Sequence, residues 1–316
     1  MTRPLAAPPV GAAPSTPAHP MLAHAPDDSP RQPAPRGAGS APTGTGWAAE
    51  LELGFARAGE RTVLARRRHN GPLQVQRPFY PEGPGVCHVY VLHPPGGVVG
   101  GDRLALDVAV EADAHALVTT PAAGKLYRSG GPWAELTNTL RVADGGVLEW
   151  LPQETIAFAG ALARQTTRVH LATRACFVGW EVLCLGRPAA GEAFAHGEVR
   201  QTLELWREGR PLLHERARCS GGAELLQAPW GLAGRPVTAT LWAVAPEGGL
   251  AEPLRAAAIP PPPGGLAGVT EINGVLIARC LVAHADGARS WLMRAWQALR
   301  PALAGRVACP PRIWRT

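Results

Sequence analysis

The chain is nearly without lysine: Lys125 is the only one among 31 basic residues. Its net charge of +6 therefore rests on arginine. The one basic run, Arg66-Arg67-Arg68, has no interleaved aromatic residues. Nucleic-acid binding calls for a clustered basic stripe with stacking rings, so the composition argues against it. An acidic protein partner fits the charge equally well. No run of eighteen or more apolar residues occurs, which excludes a hydrophobic membrane helix. Prolines interrupt the first twenty residues, so no secretory signal is expected there.

Other absences narrow the chemistry. The six cysteines (Cys87, Cys176, Cys184, Cys219, Cys280, Cys309) show no C-x-x-C spacing, which removes the usual zinc framework and predicts reduced thiols in a cytoplasmic protein. There is no G-x-S-x-G elbow. Ser129 has no base beside it, and Cys87 and His88 point to opposite sides of a strand. Gly124-Lys125 is followed by leucine, so it is no phosphate loop. His88 and His93 fall on opposite faces, and Cys87 and His93 are about 20 Å apart along theirs, too far to chelate one ion. His170 and His196 stand alone.

What is present is β-rich. Residues 1–45 are dominated by Pro, Ala, Gly and Ser and read as a disordered extension, because they cannot bury enough apolar surface to offset ordering entropy. Residues 46–316 then read as one domain of short β segments. The strands expected are 51–55, 62–67, 73–77, 86–92, 104–111, 116–119, 135–142, 147–151, 166–171, 177–183, 199–207, 212–216, 237–244 and 274–282. Asp144-Gly145-Gly146 reads as a hairpin turn. The fold class that follows is mainly β: layered antiparallel sheets, sandwich-like and elongated, with about two helices. A helix is predicted over Arg289–Arg300, its apolar face formed by Trp291, Leu292, Ala295, Trp296 and Leu299, stopped by Pro301. Residues 245–268 read as a long surface loop.

The organising stretch is 72–102. There Gly96-Gly97 and Gly100-Gly101 bracket Val98-Val99 and deliver Asp102. The next residues, Arg103–Glu111, alternate like a strand, so no helix N-terminus is present to bind phosphate. On its own chemistry Asp102 caps the amides of its turn. Glu181, inside an apolar strand, needs a polar partner if buried. Glu215 is expected to pair with Arg216 or another arginine, and Glu154 completes the set of acids. By residue chemistry alone, a protein-binding scaffold or module and an unrecognised hydrolase both remain open.

Several phrases, in order, resemble the urease accessory protein family UreD, also called UreH. They are GPLQVQRPFYPEGPGVCHVYVLHPPGGVVGGD, PAAGKLYRS, LEWLPQETIAF, WEVLCLGRPAAGEAF, PLLHER and a terminal PRIW. The resemblance runs from about Gly46 to the C-terminus and leaves the extension outside. It implies a non-enzymatic, cytoplasmic maturation factor with no tightly bound cofactor. It also implies a complex with UreF, the GTPase UreG and apo-urease, in one form a dimer of heterotrimers, that passes Ni²⁺ to urease. Asp102, Glu181 and Glu215 are the expected carboxylates of a transient nickel path, by likeness to acids of that family.

Overall fold

Apolar residues at every second position make strands, and where these lie decides the layers. The computed structural model describes residues 46–315, so the expectation for the extension lies outside the described residues. Sheet 1 has seven strands: β1 (Ala48–Ala58), β2 (Arg61–Asn70), β5 (Arg103–Val110), β8 (Ala134–Val142), β11 (Leu162–Leu171), β14 (Glu198–Arg207) and β15 (Arg210–Ser220). Their order across the sheet is β15-β14-β11-β8-β5-β1-β2. Sheet 2 runs through β17 (Leu266–Ile272), β18 (Val275–Val282), β16 (Val237–Val244), β12 (Cys176–Arg187), β9 (Val147–Leu151), β6 (His115–Thr119), β4 (Cys87–Leu92) and β3 (Gln74–Val75). Short strands β7 (Gly124–Leu126), β10 (Thr155–Ala157) and β13 (Glu192–Ala193) attach to it.

The layered, mainly β architecture agrees with the sequence, but the pairing does not: the sheets are mixed. From β1 through β5, β8 and β11 to β14, every neighbour in sheet 1 is parallel. In sheet 2 β4, β6, β9 and β12 are parallel, while β12, β16, β18 and β17 are antiparallel. The reason lies in the turns. Asp144-Gly145-Gly146 does not fold a hairpin; it carries the chain from β8 in sheet 1 to β9 in sheet 2. Gly145 has φ +69° there, and the Gly146 N–H closes the turn on the Ala143 carbonyl. From β4 to β14 the longer strands therefore alternate between the sheets, and each return to a sheet runs in the same direction as the last visit. The strand in the opposite sheet serves as the crossover that parallel pairing requires.

Two cores result. Strand β5 alternates exposed and buried, as a strand covered on one face must. Strand β6 is buried at every position. The difference follows from position: sheet 2 has sheet 1 on one face and α2 (Ala285–Ala304) on the other. Along β12, Phe177, Leu183 and Leu185 enter the core between the sheets, while Val178, Trp180, Val182 and Cys184 enter the core under the helix. The apolar face predicted for this helix is buried as expected. Pro301, however, lies inside the helix, which continues to Ala304 and ends at Gly305 (φ +64°), whose N–H bonds the Pro301 carbonyl. Burial of Leu303 holds this extra turn in place. The expected 245–268 loop contains α1 (Ala251–Ala256) and the start of β17, because Leu250, Ala251 and Leu254 join the core under α2. Only Gln74 and Val75 of the expected 73–77 strand pair, two residues short of Pro78.

Candidate functional site

The glycine-rich turn is built around close approach. A side chain at Gly97 would meet the Tyr127 ring at 2.2 Å, and one at Gly100 would meet the Ser129 hydroxyl at 2.2 Å. The Val98 N–H bonds the Lys125 carbonyl, and the Tyr127 N–H returns to Val98. Asp102 ends this turn almost fully buried. Its Oδ1 accepts the Trp47 N–H at 2.8 Å and its Oδ2 accepts the Val99 N–H at 2.9 Å. Both oxygens thus cap main-chain amides, as its own chemistry suggested. In doing so the carboxylate anchors the main chain of two residues whose apolar side chains are exposed, Trp47 and Val99. Asp102→Ala leaves two amides without acceptors and should lower stability by about 1–3 kcal/mol, readable in urea denaturation. A smaller loss would mean that water replaces the cap.

Glu181 projects from β12 into the space between the sheets, on the same face as Leu183 and opposite Thr240. Its Oε1 accepts the Thr167 hydroxyl at 2.7 Å and its Oε2 accepts the Gln201 amide at 3.0 Å. Both donors are neutral. Burial therefore wins, and the carboxyl is pushed up to about 7 despite hydrogen bonds from Thr167 and Gln165. A cavity of about 510 Å³ reaches it, lined also by Gln201, Thr240, Trp242, Arg279 and Glu215. Glu215 comes from β15. Its Oε2 accepts the Trp242 indole N–H at 3.2 Å, and its Oε1 takes a hydrogen bond from Arg279 of β18. Arg216, the neighbour in sequence, turns instead to His214 at 3.1 Å.

The structure thus brings two of the three expected acids, Glu181 and Glu215, to one cavity. Asp102 lines neither that cavity nor a second, of about 530 Å³, whose wall includes its neighbours Val98 and Leu104. This second cavity is mostly apolar and also takes in His93, Lys125, Asn138, Trp150 and Gln165. Gln165 is hydrogen-bonded to Glu181, so Glu181 faces one cavity while its partner lines the other. Glu154 forms an ion pair with Arg289 at 3.6 Å. Burial lifts the Cys184 and Cys280 thiols to about 12, which leaves them protonated and poorly nucleophilic at neutral pH. No group of three or more His, Cys, Asp or Glu placed to hold a metal occurs among the described residues.

Sequence reasoning missed the largest polar assembly. Arg300, on the buried face of α2, is enclosed completely and forks onto Glu82 at 2.6 and 2.8 Å. The same guanidinium reaches Glu149 of β9 at 2.9–3.1 Å. Glu149 also accepts the Trp296 indole N–H at 2.6 Å and pairs with His115 at 2.7 Å, while Glu82 pairs with His88 at 2.7 Å. Burial alone would raise the Glu149 carboxyl, but His115 and Arg300 outweigh it and hold it at about 2. A signal was available: Arg300 lies four residues after Trp296, which puts a charge on the apolar stripe.

Two layered mixed sheets enclosing a cavity lined by both acids and arginines define a mainly β sandwich, and no helix among the described residues is long and apolar enough to cross a membrane. Comparison with known proteins makes this specific. The family model of the UreD urease accessory protein matches residues 48–315. The chain is 49% identical to the urease accessory protein UreD of Pseudomonas fluorescens (strain Pf-5) over 271 residues, covering 85% of this chain and 95% of the relative. It is 50% identical to UreD of Azoarcus sp. (strain BH72) over 273 residues, covering 86% and 95%. UreD of Pseudomonas aeruginosa (strain PAO1) is 48% identical over 271 residues, covering 85% and 95%. The chain belongs to the UreD family of urease accessory proteins, and its role is in urease maturation.

Proposed function

We propose that this protein is a non-enzymatic scaffold that relays Ni²⁺ into apo-urease, working in the cytoplasm with UreF and the GTPase UreG. A dimer of heterotrimers is the assembly we favour. The observation that carries the reading is Glu181: a carboxyl inside the sandwich with no cationic partner, facing a cavity it shares with Glu215. A stabilising ion pair would bring an arginine to such a group, as Arg300 is brought to Glu149. Glu181 instead stays near neutrality, where a proton and a divalent cation compete for the same oxygens. Competition of this kind keeps metal binding weak, and a relay must release what it takes up. Carboxylate oxygens fit passing Ni²⁺ better than thiolates, which would hold it tightly. Asp102, which lines neither cavity, belongs to the proposal as the third acid expected of the path.

The experiment replaces Asp102, Glu181 and Glu215 singly by Ala in cells producing urease. Partner binding should survive in each variant, while the nickel content and activity of urease fall. Full nickel loading in all three would remove these acids from the path. Lowered stability with lost partner binding would make them structural only.

A further inference from the structure

The outer face of sheet 1 carries a row of four arginines that two glutamates only partly neutralise. Strand register places Arg103 beside Glu135, Glu135 beside Arg164, Arg164 beside Arg200 and Arg200 beside Arg218. The row crosses β5, β8, β11, β14 and β15 at about 4.8 Å per strand, so it is about 19 Å long. Three arginines are direct neighbours on β11, β14 and β15, a like-charge placement that costs stability across strands. Arg216, one alternation further along β15, adds another exposed guanidinium and bonds only His214. The acids available are few. Glu135 is 3.3 Å from Arg164 and 4.0 Å from Arg103, and Glu198 holds Arg200 and Arg218 at 2.6 and 2.7 Å. The side chains of the four row arginines remain between 43% and 77% exposed, so each keeps unused donors toward solvent.

We propose that this face of sheet 1 docks an acidic α-helix of a protein partner, lying across the strands along the arginine row. Charge complementarity selects the partner, and spacing selects its form. A helix presents one carboxylate per turn of about 5.4 Å, close to the strand-to-strand step from Arg164 through Arg200 to Arg218; an uncharged turn faces Glu135, and flexible arginine stems absorb the difference. Same-side residues of an extended strand fall about 6.7 Å apart and drift out of register within the row. A nucleic acid is a poorer fit. Among the described residues the aromatic ring beside the row, Trp133, already has Arg164 and Arg200 over it at 4.4 and 4.7 Å, leaving little ring for a base to stack on. The surface is independent of the metal path. Arg164 and Gln165 are successive residues of β11, so the row faces away from the side of the sheet that meets Glu181. Only the β15 end, at Arg216 and Arg218, reaches the rim of the Glu181 cavity.

The test uses the full chain and a fluorescein-labelled helical peptide with one glutamate per turn, followed by anisotropy at several salt concentrations. A scrambled peptide of the same composition and a single-stranded DNA of equal charge are the comparison probes. The ordered peptide should bind about tenfold more tightly than either, with affinity falling as salt rises. Arg103→Gln with Arg164→Gln, which leaves both Glu198 pairs in place, should weaken it about tenfold, with an unchanged circular-dichroism melt. Arg66→Gln, Arg67→Gln and Arg68→Gln together should change it less than about twofold. Equal binding of the scrambled peptide, tighter binding of DNA, absence of peptide binding, or equal loss in the two variants would each overturn the proposal.

Discussion

Replacing Arg300 by Met is expected to destabilise the protein by about 3–5 kcal/mol. The side chain is completely buried and neutralises two carboxylates at once, Glu82 and Glu149. Methionine fills similar volume, so the loss would come from stranded charge rather than from a cavity. Adding Glu82→Gln and Glu149→Gln should recover part of it, because neutral amides tolerate burial better than unpaired carboxylates. The sign of the pH dependence is also determined. Glu149 is depressed from 4.5 to about 2, so its contribution is present above pH 4.5 and lost as pH falls through 2. The stability difference between wild type and Glu149→Gln should therefore shrink over that acid range in urea denaturation. A difference independent of pH would show that Glu149 does not titrate below its ordinary value.

Glu181→Gln is expected to act in the opposite direction. Its carboxyl is raised from 4.5 to about 7 by burial, so the folded state binds the proton more strongly than the unfolded chain. That stabilisation by the proton is complete below pH 4.5 and lost as pH rises through 7. Glutamine does not titrate, so the variant should overtake the wild type as pH rises through this window. The gain approaches about 3 kcal/mol at the alkaline end, reduced by whatever solvent the cavity admits. The same variant should supply less nickel to urease, so stability would improve while function declines. That combination separates a functional carboxylate from a structural one, since losing a structural ion pair costs both. A flat stability difference between pH 4.5 and 7 would show that Glu181 is not desolvated.

How far these groups were legible in the sequence differs from one to the next. Glu181 stood out because an acid inside an apolar strand has no bland explanation once buried. Its partners Thr167, Gln165 and Gln201 come from β11 and β14 of the other sheet, and no spacing rule connects them to it. Glu215 was expected to find an arginine, and did, but Arg279 is 64 residues away while adjacent Arg216 faces the other side of β15. Alternation decides that: neighbours on a strand point to opposite faces. Glu149 and His115 were passed over because each sits in a short strand buried at nearly every position, where one residue looks like the next.

By itself the sequence determined the class, the rhythm of the strands, the amphipathic helix and the family. Each of these is written in local periodicity or in phrases of contiguous residues. Tertiary structure alone decided that the sheets are mixed, that α2 runs through Pro301, and that Glu181 shares a cavity with Glu215 but not with Asp102. It also decided the arginine row, whose members are 61, 36 and 18 residues apart in successive steps from Arg103 to Arg164, Arg200 and Arg218. The physical reason is common to all of these. A turn such as Asp144-Gly145-Gly146 specifies a tight reversal, but whether the next strand pairs beside the last or crosses to the facing sheet depends on where the whole chain can bury its apolar sides.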